Sequence, residues 1–154
     1  MAEVFELEHK VSPDEIDGLG HVNNLVYLGW FIEAASAHSE AAGWPHTRMI
    51  NMGEGWVIRR HEIDYLAQVM PQDTVVIKTW IDSAERTSSV RKYEIIRPLD
   101  GKTVCRGLTV WVWINYGTGR AARIPEELYG AFSVAAPQAR ERKICNSTKQ
   151  EGTI

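Results

Sequence analysis

The stretch DGLGHVNNLVYLGWFIEAA, residues 17–35, passes within a few positions from a glycine-rich polar turn to a nearly unbroken apolar run. Such a change marks the start of a helix. Asp17 and His21 flank a turn containing Gly18 and Gly20, and either Asn23 or Asn24 stands where an N-cap belongs. From residue 24 to residue 42 no proline interrupts a segment rich in Leu, Ala, Glu and aromatics, and Gly43 followed by Pro45 closes it. In its first half Leu25, Val26, Leu28, Trp30, Phe31 and Ile32 cover most of the helix circumference, where a surface helix shows one stripe. The pattern predicts a long helix surrounded by protein.

Outward from this helix the periodicity changes to two. Residues 4–11 place Phe5, Leu7, His9 and Val11 on one side and Glu6, Glu8 and Lys10 on the other, as in a half-buried strand. Four further strands are expected at about residues 55–68, 74–82, 88–97 and 103–115, separated by the turn-rich segments MPQD, SAERTSS and PLDGK. In the last of them Leu108, Val110, Val112 and Ile114 share one face, and Thr109, Trp111 and Trp113 the other. One face can cover the helix; the second needs another partner. IPEELYGAF reads as a short closing helix with proline in its first turn. The expected organisation is one α+β domain over residues 1–137, a curled antiparallel sheet around one central helix, with a polar, lightly attached tail over 138–154.

Composition bounds the function. With 154 residues, 44% hydrophobic and 24% charged, the chain suits one globular domain. A net charge of −3 gives no general attraction to nucleic acid or anionic membranes. Cys105 and Cys145 are too few for a disulfide framework and neither has a cysteine neighbour at metal-ligand spacing, so a reducing, cytoplasmic compartment is expected. The five histidines show no paired metal spacing either, and no metal is expected. The opening MAEVFELEHKV lacks the basic and apolar regions of a leader, and no later run reaches about 18 apolar residues, so neither export nor membrane spanning is expected.

The chemistry gathers at the helix start. The first amides of a helix have no internal acceptor and together carry roughly half a positive charge. An end not already capped by a side chain can hold a developing oxyanion. Asp17, just upstream, is placed to act as general base for water or to attack a carbonyl. A plainer role for Asp17 is to cap its own turn, as Asp before Gly often does. For His21 positioning suits better than direct chemistry, and Asn23 and Asn24 suit a cap or loop clamp.

The stretch at residues 17–35 resembles the signature of the hotdog-fold thioesterases, the superfamily of 4-hydroxybenzoyl-CoA and acyl-ACP thioesterases. The resemblance continues through IDYLAQVMPQDTVVIKTWI, SSVRKYEII and GLTVWVWINYGTGRAARIPEEL, from residue 4 to about residue 128. It implies the hotdog fold, a long helix lying in a curled antiparallel sheet, with two subunits pairing sheets edge to edge. It also implies that Asp17 activates water or attacks a thioester, and that His21 orients the site. Backbone amides near residues 22–24, including Asn24, would polarise the thioester carbonyl. Plant acyl-ACP enzymes carry Asn two residues after the acid, where this chain has Leu19, so the bacterial acyl-CoA type is the nearer model. Those plant enzymes join two hotdog units; this chain has one and is expected to form a homodimer. The second apolar face of residues 103–115 extends that expectation to a homotetramer.

Arg59, Arg60, Arg86 and Arg91, with Lys92, are candidates for the phosphates of coenzyme A, which guanidinium groups clamp bidentately. Trp30, Phe31, Trp44 and Trp56 are either core or an acyl or aryl pocket. Glu33 suits a structural role. Gly29, mid-helix at a cost of about 1 kcal/mol relative to alanine, suits close approach of a backbone or acyl chain. GTGR and GEG are turns, no Gly-x-Ser-x-Gly elbow occurs, and Ser36, His38 and Ser39 lie too close along one helix for a triad. The leading expectation is an acyl-CoA thioesterase needing no cofactor beyond the coenzyme A of its substrate. A non-catalytic acyl-CoA sensing module is the alternative, and a hotdog dehydratase ranks last.

Overall fold

Five antiparallel strands, β1 (Phe5–Lys10), β2 (Glu54–Tyr65), β3 (Thr74–Ala84), β4 (Ser88–Arg97) and β5 (Lys102–Asn115), form one sheet in the order β1-β3-β4-β5-β2. Helices α1 (Asn24–Ala41), α2 (His46–Met52) and α3 (Glu126–Ala131) complete the computed structural model, which describes residues 3–137. The expected tail, with Cys145, lies outside the described residues. This is the α+β hotdog architecture, a curled sheet holding one long helix. The meander β3-β4-β5 follows from the turn-rich linkers, and β1 and β2 take the two edges.

Alternation decides which side chains meet the helix. Val75, Ile77, Thr79 and Ile81 of β3 and Ser89, Arg91, Tyr93 and Ile95 of β4 are all buried at every second position. Against them α1 buries Tyr27, Trp30, Phe31, Ala34, Ala35 and His38, a stripe at helical spacing. The Phe31 ring stacks on Tyr93 at 4.3 Å with an interplanar angle of 6°. Gly107 of β5 makes that approach possible, because a Cβ there would stand 2.5 Å from Phe31 Cε2.

Two expectations need correction. First, α1 is not surrounded: the sheet covers one side, while Leu25 is 77% exposed and Gly29, Glu33 and Ser36 also face outward. Second, α2 has no counterpart in the sequence reading. It is seven residues between Pro45 and Gly53, too short to show a period, and Gly53 ends it at a φ of 74°.

In β5, Thr109 and Trp113 are buried on the inner face, and Gly107 on the same side meets the helix. Leu108, Val110, Val112 and Ile114 lie half-buried on the outer face, where Leu108 is paired with Lys92. Strand β2 ends at Tyr65, short of residue 68, and a bulge at Arg59 interrupts its register with β5.

Candidate active site

The loop before α1 is tied down by Glu15. The spacing Ser12-x-x-Glu15 forms a capping box, in which Glu15 Oε1 accepts from the Ser12 amide at 2.8 Å. The same oxygen lies 2.7 Å from His9 Nε2 of β1, and Oε2 accepts from Trp30 Nε1 of α1 at 2.8 Å. One carboxylate thus joins edge strand, turn and helix. Burial pushes its pKa up, but the bonds from His9, Ser12 and Trp30 outweigh this and hold it below the usual carboxylate value. Glu15 was not singled out from sequence; the capping-box spacing was the available signal.

Asp17 follows in a tight turn, where its amide donates to the His21 carbonyl at 2.8 Å and Gly20 donates back to the Asp17 carbonyl at 3.1 Å. The Asp17 side chain caps this turn, Oδ1 accepting from the Leu19 amide at 2.9 Å and from the His21 amide at 3.4 Å. Among the described residues nothing donates to Oδ2. The half-buried carboxylate is therefore oriented through one oxygen and open at the other.

The helix start differs from expectation in its details. Asn23, not Asn24, is the N-cap, and its Oδ1 accepts from the Leu25 amide at 2.9 Å. The Val22 amide donates to the Val69 carbonyl and the Asn23 amide to the Glu15 carbonyl. Of the amides at residues 22–25, only that of Asn24 lacks an acceptor among the described residues. The broad set of polarising amides over residues 22–24 thus narrows to one. Asn24 is exposed, and its carbonyl accepts from the Tyr65 hydroxyl at the end of β2, at 3.0 Å. Tyr65 in turn packs edge-on against Tyr27 at 5.2 Å. The His21 imidazole is half-buried, with no hydrogen-bond partner among the described residues. Asp17, His21 and Asn24 thus belong to one loop and one helix start.

A cavity of about 330 Å³ lies farther along α1, walled by Trp44, Trp56, Trp111, Ile81, Leu128 and Phe132. Trp44 and Trp56 line it; Trp30 and Phe31 do not, being held by Glu15 and Tyr93. Ser36, which also lines it, is twelve residues beyond Asn24, about 18 Å at roughly 1.5 Å per residue.

The four arginines are not one group. Arg59 and Arg60 are exposed on β2, Arg60 pairing with Glu62, and Arg86 is exposed in the turn after β3. Arg91 points inward from β4 and is 3% exposed. Among the described residues no group of three or more His, Cys, Asp or Glu side chains is placed to hold a metal ion. No helix of the described residues is long and apolar enough to cross a membrane.

The family model of the thioesterase-like superfamily matches residues 11–132. The chain is 25% identical over 134 residues to a chloroplastic acyl-acyl carrier protein thioesterase of Arabidopsis thaliana, covering 86% of this chain and 69% of that one. Among solved structures, a 1,4-dihydroxy-2-naphthoyl-CoA thioesterase from Synechocystis superposes with a TM-score of 0.80 at 21% identity, over 85% of this chain and 96% of the other. A Lactobacillus plantarum protein provisionally assigned as an oleoyl thioesterase superposes with a TM-score of 0.82 at 21% identity, over 88% of this chain. This chain spans about half the length of that protein, 52%.

Proposed function

The chain belongs to the thioesterase-like superfamily, which makes it a thioester hydrolase at the level of the family, and from that premise we propose that it cleaves acyl-CoA to the free acid and coenzyme A with Asp17 as the reacting carboxylate. The observation that carries this reading is the half-anchored Asp17, with no donor to Oδ2 among the described residues, in the turn that leads into a helix start whose Asn24 amide likewise has no acceptor among them. The thioester carbonyl oxygen would take the Asn24 N–H, at the electropositive end of α1. Oδ2 draws a proton from water as the water oxygen bonds to the carbonyl carbon; the tetrahedral intermediate then expels the thiolate, which regains that proton. Direct attack of Oδ2 on the carbonyl, followed by hydrolysis of the anhydride, gives the same products. His21, carried on the same turn, positions this loop.

Arg59, Arg60 and Arg86, exposed on β2 and the turn after β3, are the candidates for the coenzyme A phosphates. The other edge of β2 is unpaired, and Leu25 and Leu66 stand exposed beside it. A symmetric antiparallel pairing of two β2 edges would cover that face. It would also bring the Tyr65 end of one subunit, with its helix start, against the Glu54 end of its partner, where the cavity lies. The outer face of β5 would join two such dimers into a tetramer. A cytoplasmic site of action is consistent with the cysteine usage.

The test is thiol release from a panel of straight-chain, branched and aryl acyl groups, offered on coenzyme A and on acyl carrier protein. Hydrolysis of CoA thioesters at a kcat/KM well above the carrier-protein forms supports the reading. Saturable binding without thiol release across the panel would replace it with a sensing module.

A further inference from the structure

Arg91 is a buried cation with no acid to balance it among the described residues. It sits on β4, the middle strand of the sheet, between Ile81 of β3 and Thr109 of β5, beneath the second half of α1. Among the described residues its hydrogen bonds leave from Nη1 alone, to Thr79 Oγ1 at 3.0 Å and to His38 Nδ1 at 2.9 Å. The guanidinium carbon also lies 5.7 Å from the centre of the Phe132 ring. None of these partners is anionic, and no carboxylate pairs with Arg91 among the described residues. An unpaired buried charge costs several kcal/mol unless something compensates it.

The charge cannot be relieved from within. Because Nη1 donates to His38 Nδ1, that nitrogen must carry a lone pair, and His38 stays neutral. Burial, with Arg91 second, lowers His38 to a pKa of about 4. Burial likewise lowers Arg91 to about 10, which leaves it cationic at neutral pH. Among the described residues Nε and Nη2 of Arg91 thus donate to nothing, on a residue that lines the cavity. Ser36 and Ile58, both exposed, line the same cavity, so it opens between α1 and the edge strand β2. The walls are otherwise mostly aromatic and aliphatic, with Ser39, Ser89 and His46 the other polar side chains and no carboxylate among the lining residues.

We propose that, across the β2–β2 pairing put forward above, this cavity takes the acyl group of a thioester held at the partner subunit's helix start, the apolar stem lying against Trp44, Trp56 and Trp111 and a terminal carboxylate meeting Nε and Nη2 of Arg91. The proposal rests on the thioesterase reading and deepens it: the substrates are monothioesters of dicarboxylic acids. Arg91 is then a specificity-determining residue, distinct from the arginines suggested for coenzyme A. A purely structural arginine would give the protein no preference between charged and uncharged acyl ends.

The experiment compares matched CoA thioesters of equal length: adipoyl with hexanoyl, suberoyl with octanoyl, and 4-carboxybenzoyl with benzoyl. In the wild type kcat/KM should favour the carboxylated member of at least one pair by about tenfold to a hundredfold, the value of a charge-assisted hydrogen bond to a buried group. Arg91→Met should abolish that ratio through a fall of at least about tenfold in kcat/KM for the carboxylated member, and Arg91→Lys should keep part of it. Preference for the uncharged member in every pair, or a ratio untouched by Arg91→Met, overturns the proposal. Should Arg91→Met not fold, the wild-type ratio and Arg91→Lys decide. If no thioester is hydrolysed at all, the thioesterase reading fails, and thermal stabilisation by free adipate, suberate and terephthalate decides the cavity. Stabilisation of the wild type but not of an Arg91 variant supports the anion site; none in either overturns it.

Discussion

Replacing Gly107 by alanine adds one carbon at the tightest point between α1 and the sheet. The new Cβ would lie 2.5 Å from Phe31 Cε2 and 3.0 Å from Cζ, and also 2.5 Å from the Glu62 carbonyl oxygen of β2. Carbon atoms settle at about 3.5–4.0 Å, so the ring must retreat by roughly 1 Å. Its retreat is blocked by the stack on Tyr93 at 4.3 Å, and the Glu62 carbonyl is fixed in the β2–β5 ladder. Overpacking of this kind costs about 1–3 kcal/mol, and two clashes on rigid neighbours put Gly107→Ala near 3 kcal/mol. With an m-value of about 2 kcal/mol/M, the urea midpoint should fall by roughly 1.5 M. Phe31→Leu removes the two ring atoms nearest the new Cβ. In that background Gly107→Ala should therefore cost about 1 kcal/mol, set by Glu62 alone. A cost under 0.5 kcal/mol in the wild type, or the same cost in both backgrounds, would refute this account of how the helix seats.

Three further substitutions probe the same frame. For His38 the folded pKa of about 4 lies below the unfolded 6.5, so stability is present above pH 6.5 and lost as pH falls toward 4. Relative to His38→Gln, the wild type should lose about 2–3 kcal/mol of unfolding free energy between pH 7 and 4.5, and parallel curves for the two proteins would contradict this. Asn23→Ala removes the cap on the Leu25 amide and should cost about 1 kcal/mol, read as a fall of roughly 2–4 °C in Tm. Glu15→Ala leaves the Trp30 indole and the Ser12 amide without their acceptor, and denaturant unfolding should show a loss of about 2–3 kcal/mol.

The elements legible in the sequence were those with a local signature. Phe5 to Lys10 alternate cleanly, and the turn clusters between strands mark the meander, including Ser88 to Arg97, where burial alternates although residue type does not. The start of α1 was legible because Asn23 and Asn24 precede an apolar run. Which of them caps, and which amides stay open, depends on the distant carbonyls of Val69 and Glu15, which no local pattern reveals. The sheltering of α1 was misjudged for a related reason: the apolar residues of its first half do not show which side meets the sheet, and the sheet leaves Leu25 77% exposed. Arg91 looked like Arg59 and Arg60 as a residue type. Its burial was readable only from parity, since Ser89, Tyr93 and Ile95 at the same alternate positions face inward.

The central claim is that Asp17 reacts through the oxygen its turn leaves open. Asparagine at this position keeps an acceptor for the Leu19 amide but removes the base and nucleophile, so the turn should persist without the chemistry. Steady-state thiol release from the best substrate, measured beside a melting curve, should show kcat lower by at least about 10²-fold to 10⁴-fold in Asp17→Asn at an unchanged Tm. Turnover within about threefold of the wild type, in a protein melting at the same temperature, would contradict it.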